Sequence, residues 1–300
     1  MIRRGLGAPY LSACMTISLD HSYTYCERLT RREAANFYPA FRVLPGSQRR
    51  AMCALYAFLR VTDDLTDGPG SAAEKQNALN RWRHQFDGAL FGDYTHPLHP
   101  AFHHTIRYHG IPRAYLDAVL DGVEMDLRQL SYGTFAELYR YCYRVASAVG
   151  LACIHIWGFQ SEEARTHAES AGIALQLTNI LRDLKEDVGR GRIYLPQEDM
   201  KRFAYNAEQL SRGERTAEFC DLMAFQAERT RTYYRAARPL FKLLTPAGRA
   251  VFQIILGTYE GLLDAIEECH FDVFSKRISL SPWRKMSLVV RAIPARLGWI

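Results

Sequence analysis

The chain has 300 residues, 48% of them hydrophobic and 23% charged, and a formal charge of +6. That is a globular composition with no disorder signature, and a chain of this length can enclose a cavity as well as a core. The mild basic excess lacks the dense basic blocks of a nucleic-acid binder; it suits an acidic small substrate such as a diphosphate, an anionic membrane surface, or a merely solvated exterior.

Residues 1–19 read as a disordered leader and 20–300 as a single domain. Arg3-Arg4 precedes a short apolar stretch ending in Leu11-Ser12-Ala13-Cys14, but Gly5, Gly7 and Pro9 interrupt it and it is too short for a signal segment. Met15 offers an alternative start. No run approaches the ~18 apolar residues of a membrane span. The seven cysteines are odd in number and form no C-x-x-C pair. Several sit inside apolar helical patterns, so they read as reduced, buried residues of a cytoplasmic protein.

Helical periodicity dominates, with no series of alternating strands, which predicts an all-α fold. Helices are expected over 45–66, 72–90, 112–130, 135–159, 162–188, 215–244 and 246–269. Asp67-Gly68-Pro69-Gly70 ends the first of these with turn chemistry, and Gly189-Arg190-Gly191 ends the fifth. His96-Pro97-Leu98-His99-Pro100 reads as a loop with solvated histidines. The segments 135–159 and 162–181 are apolar around much of their circumference, as helices at the centre of a bundle are, and they are the expected walls of any cavity. Gly150 costs ~1 kcal/mol against alanine inside a helix, which close packing or room for a ligand would explain.

Two helix ends are unusually acidic. In the segment from Tyr56 to Asp67, the residues Tyr56, Arg60, Asp63, Asp64 and Asp67 form one polar stripe, because positions four apart on a helix nearly eclipse. In the segment from Gln176 to Asp187, the residues Gln176, Asn179, Asp183 and Asp187 do the same. Carboxylates at a helix C-terminus oppose the helix dipole, and Arg60 and Arg182 offset only part of that cost. A bound cation would make the arrangement favourable. Magnesium takes hard oxygen ligands from one or two carboxylates plus substrate phosphates, so two facing stripes could hold metal ions around a diphosphate. One such stripe is equally well a solvated, salt-bridged face; two together favour the metal reading.

These residues carry a family resemblance. Tyr56-x-x-x-Arg60-x-x-Asp63-x-x-x-Asp67 resembles the first aspartate motif of the squalene and phytoene synthases. Gln176-x-x-Asn179-x-x-x-Asp183-x-x-x-Asp187 followed by Gly191-Arg192-Ile193-Tyr194-Leu195-Pro196 resembles the second. The helix around Tyr141, Tyr143, Val145, Ala146, Val149 and Gly150 is similar to the one that carries the family's cavity tyrosine. Asn36-Phe37 to Phe41 resembles the cover of the diphosphate pocket, and Tyr259 with Phe271 to Arg277 the C-terminal diphosphate contacts. One departure is Ala34-Ala35-Asn36, where many members carry small hydroxyl residues; it bears on phosphate contacts there.

The resemblance implies an isoprenoid-synthase bundle around a central cavity, with Asp63, Asp67, Asn179, Asp183 and Asp187 holding magnesium on diphosphate. It implies phosphate or metal-shell contacts from Tyr56, Arg60, Gln176, Tyr259 and Arg277, with Lys276 the alternative to Arg277. Phe37, Phe41, Val145, Ala146 and Gly150 would line the prenyl channel. The implied reaction is a magnesium-dependent head-to-head condensation of two prenyl diphosphates through a cyclopropyl diphosphate. Tyr141 would help with proton removal or cation stabilisation, and released diphosphate could equally be the base. Two C15 farnesyl chains, giving presqualene diphosphate and a squalene-type product, are the preferred reading, and two C20 chains, giving phytoene, the alternative. NADPH is left open, because reductive members of the family also lack a dinucleotide-binding fingerprint.

Two rival functions are weighed. Asp63-Asp64-Leu65-Thr66-Asp67 also fits a terpene cyclase or a head-to-tail elongase, but the Tyr141 helix and the Gly191–Pro196 segment argue for head-to-head chemistry. A non-catalytic scaffold relative would be expected to have lost its acids. The stretch from Pro282 onward carries Arg284, Lys285, Arg291 and Arg296, no acid, and Trp283 and Trp299. It reads either as a frayed tail or as a surface that lies on the inner face of a membrane.

Overall fold

Ser18 opens the first helix: its side chain accepts from the N–H of His21, and Leu19–Glu33 (α1) follows. The computed structural model describes residues 17–34, 37–128 and 130–299. Most of the expected leader, with Cys14 and Met15, and Ala35-Asn36 lie outside these residues. The long helices continue with Gly46–Asp67 (α2), Ala72–Leu90 (α3), His99–His109 (α4) and Arg113–Arg128 (α5). Phe135–Cys142 (α6) and Ala148–Trp157 (α7) form a continuous rod through a π-helical turn. Glu163–Gly189 (α8), Ala217–Ala237 (α9), Pro246–Glu268 (α10) and Pro282–Arg291 (α11) complete the set. No strand occurs among the described residues; only two isolated bridges do, Ser131 with Ile193 and Phe159 with Leu244. The all-α isoprenoid-synthase expectation is thus met.

Helix ends follow side-chain chemistry. Ser71 and Glu74 make a reciprocal capping box on α3. Thr245 and Ser281 each cap a helix whose first residue is proline, where no N–H is needed. Helix α8 runs through the centre, packed against α7, α9 and α10. Phe58 of α2 stacks on Phe102 of α4 at 4.1 Å between ring centres, and Trp82 of α3 donates to Thr62 at 2.8 Å. Each buried ring there is worth about 1.5–3 kcal/mol.

Three expectations need correction. The segment 135–159 is not one regular α-helix: the Ala148 N–H bonds to the Tyr143 carbonyl, five residues back, and Tyr143–Ser147 widens into a π turn. Glycines clamp that turn on both sides. A Cβ on Gly172 of α8 would lie 2.4 Å from the Ser147 Cα, and one on Gly122 of α5 would lie 2.7 Å from a Val145 methyl. The segment 215–244 divides, with Ala217–Ala237 followed by a short Leu240–Leu243 turn after Pro239. His99 is not solvated. It is 1% exposed, opens α4, and its Nδ1 accepts the N–H groups of Thr95 at 3.3 Å and His96 at 3.2 Å. Burial, and then neighbouring His96, pull its pKa down to about 4.

Candidate active site

An apolar cavity of about 370 Å³ lies between α2, α5, the π turn with α7, α8 and α10. That is within the range of pockets that enclose small ligands. Val145, Ala146 and Gly150 line it, as do Phe37, Phe41 and Tyr259. The π turn extends the arc of that helix turned to the cavity, and it brings Val145 and Ala146 to the wall. Gly150 meets only a carbonyl oxygen at 3.4 Å where a Cβ would stand, so at this position room for a ligand is the better explanation. Met52 and Asp63 both line the cavity and stand eleven positions apart on the helix, so the cavity extends about 17 Å along α2.

The polar end is built by the two stripes. Asp63, Arg60, Tyr56, Gln176 and Asn179 all reach the cavity. Asn179 donates weakly to Gln176 at 3.5 Å, while its buried Oδ1 has no hydrogen-bond partner. Tyr259 stacks against Phe37 with ring centres 6.2 Å apart. Asp63 is accessible to water yet walled in by protein; that enclosure first, and then Asp67, push its carboxyl up to about 7. Burial and then Asp183 likewise push Asp187 up to about 7. Each stripe therefore crowds negative charge beyond what its own arginines offset.

Asp67, Asp183, Asp187, Tyr141 and Arg277 are not cavity-wall residues. Asp183 is paired with Arg182 and, at 3.2 Å, with Arg277, which also reaches Glu186 at 3.3 Å. Of the two C-terminal candidates, both exposed, Arg277 thus joins the second stripe. Asp67 lies 4.0 Å from Arg190, which follows the second stripe, so the two helix ends share one rim.

Sequence reasoning missed Asp126. This residue of α5 accepts from Tyr194 at 2.8 Å and from Tyr141 at 3.1 Å. Its charge adds to the raised pKa of both Asp63 and Asp187, so it lies near both stripes. Burial holds its own carboxyl above the usual range, opposed most strongly by Arg192. Tyr141 stacks on Tyr194 at 5.1 Å and is buried. Its pKa is raised well above the ordinary phenol, by burial first and Asp126 second, so it holds its proton as a donor.

The sequence profile described as squalene/phytoene synthase matches residues 30–284. The chain belongs to the squalene/phytoene synthase family. It is 35% identical to a 15-cis-phytoene synthase of Synechococcus elongatus, over 90% of this chain and 91% of that one. It is 34% identical to a chloroplastic phytoene synthase of Daucus carota, covering 89% of this chain and 69% of that one. Among solved structures it is similar to a dehydrosqualene synthase, with 28% identity, a TM-score of 0.85 and coverage of 94% and 98%. As a member of this family, the protein is a prenyltransferase acting head to head on prenyl diphosphates.

The family reading implies magnesium. Among the described residues, no three His, Cys, Asp or Glu side chains converge as a finished cation cage. Magnesium does not require one, because it keeps water and substrate phosphate in its shell beside one or two carboxylates. The unpartnered Asn179 oxygen and the carboxyls of Asp63 and Asp187, each raised by burial first and then by a neighbouring acid of its own stripe, fit that kind of binding. Asp63, Asp67, Asn179, Asp183 and Asp187 would be the residues to offer oxygen to magnesium.

Proposed function

We propose that the protein condenses two C20 geranylgeranyl diphosphates head to head to phytoene, with magnesium carried by the two acidic stripes. What supports the chain length is the set of cyanobacterial and plant relatives, 32–35% identical and named phytoene synthases. The sequence-based preference for C15 chains gives way to the C20 alternative on that ground. Magnesium bound at the stripes supplies positive charge to the departing diphosphate.

The remaining work falls to the side chains. Arg60 and Arg277 orient diphosphate at the rim, with Tyr56, Gln176 and Tyr259 beside them. Phe37, Phe41, Val145, Ala146 and Gly150 hold the prenyl chains and keep water from the allylic cation. Tyr141, with its proton retained, donates to Asp126 and fixes that carboxylate near the stripes; released diphosphate is then the better proton acceptor. Each substrate loses diphosphate and the joined skeleton loses protons, so no electrons are needed and product forms without NADPH.

A second reading, C15 condensation, is favoured by the likeness to dehydrosqualene synthase. Incubation with each diphosphate separately, with magnesium and no reductant, tests the choice. The C20 reading predicts a C40 hydrocarbon and a kcat/KM for the C20 substrate at least about ten-fold above that for the C15 one. Cys153 shares the cavity wall with Val145 and stands about 12 Å of helical rise further along the same rod, away from the Tyr141 end. Cys153→Phe should therefore fill the far part of the cavity and shift the ratio toward the shorter chain. A C30 product made faster than any C40 product would reverse the assignment.

A further inference from the structure

The C-terminal helices turn their apolar side outward. Trp283, Met286, Val290, Ile293, Leu297 and Trp299 are all exposed, Trp283 by 84% and Trp299 by 73%. The first five recur at steps of three, four, three and four, which places them within about 80° of one helical face. Ala292 joins α11 to Ile293–Arg296 and keeps a right-handed backbone conformation, so the stripe continues across that junction.

The opposite side is already filled. Leu288 sits over Gly257 of α10, where an added Cβ would lie 2.8 Å from its methyl. Ala292 and Ala295 are buried, and Arg296 donates to the Val43 carbonyl at 2.7 Å. The outward stripe is therefore not a displaced piece of core. After Asp272 the chain carries no acid, and it carries six basic residues. Of these, Arg284 reaches Asp264 at 3.5 Å and Arg277 belongs to the active-site rim, while Arg291 is exposed beside Val290.

We propose that this face docks on the surface of a bilayer that contains anionic lipid. An apolar stripe opened by a tryptophan, with a second tryptophan just past its end and basic residues alongside, is the composition that lies in a lipid interface. A second copy of the chain is disfavoured as the occupant, because two such basic faces would oppose like charge. No helix among the described residues is long and apolar enough to cross a membrane, so contact is along the surface. Helix α10 lies directly beneath: its Phe252, Ile255 and Tyr259 line the cavity while Gly257 carries Leu288. The docked bilayer is thus one helix away from the apolar cavity. The proposal stands on this surface and holds for either substrate length.

The test is co-sedimentation of the whole protein with phosphatidylcholine vesicles, with and without added phosphatidylglycerol. Binding is expected with phosphatidylglycerol and is expected to weaken as salt is raised. The double variant Val290→Glu with Ile293→Glu should lower the bound fraction about ten-fold, and Arg291→Glu severalfold, with the thermal melt of each unchanged. Light scattering on the same samples reports self-association. No vesicle binding by the wild type, equal binding by the variants, or a dimer that the variants abolish would overturn the proposal.

Discussion

The Tyr141 hydroxyl donates to Asp126 at 3.1 Å, and Tyr194 donates to the same carboxylate at 2.8 Å. Tyr141→Phe removes one of two donors and leaves the ring packing in place. It should cost about 1–2 kcal/mol in urea unfolding, while Asp126→Ala should cost more, because two buried phenols share that acceptor and the 3.3 Å contact between them can satisfy only one. Turnover should fall in both, since Asp126 lies near both acidic stripes. A double-mutant cycle on Tyr141→Phe and Asp126→Asn checks the coupling: the combined loss should be smaller than the sum, and additive losses would mean two independent sites. Nothing in the sequence marks Asp126. It lies on an ordinary amphipathic helix, and its partners are 15 and 68 residues away. Asp63, Asp67, Asp183 and Asp187 were legible because a spacing of four is a local property of a helix.

Elements show a second limit. The π turn is invisible in a run whose apolar pattern reads as one continuous helix, and its glycine clamps come from other helices. Gly172→Ala should lower stability by about 1–3 kcal/mol in denaturant unfolding, because the backbone of Ser147 blocks the added methyl. Gly150→Ala should be neutral or stabilising, since its neighbour leaves 3.4 Å. Equal effects at the two sites would refute the clamp. Helix α4 was hidden for another reason: Pro97 and Pro100 suggest a loop, yet proline fits the first turn of a helix. His99 then becomes a buried neutral ring. Its folded pKa near 4 lies below its ordinary 6.5, so the unfolded chain binds the proton more readily. Stability should therefore be full above about pH 6.5 and fall as pH drops toward 4. His96, His109 and His155 shift in the same direction. Urea unfolding at pH 7 and pH 5 should show the loss, and His99→Asn should reduce it.

At the scale of the whole molecule, the bundle brings two helix ends distant in sequence to one rim above an apolar cavity. The central helices were readable as walls because they are apolar on most sides, and the cavity does form against them. Their meeting at Asp126 and Arg190 depends on long-range packing that periodicity does not encode. The central claim is that both stripes act on the same diphosphate. It is tested most directly by magnesium-dependent diphosphate release and C40 product formation from geranylgeranyl diphosphate, in the wild type, Asp63→Asn, Asp187→Asn and the double variant. The account predicts that chelation abolishes both signals, that each single variant loses at least about a hundred-fold, and that the double variant loses little more. Near-wild-type turnover in either single variant, or losses that multiply in the double, would contradict it.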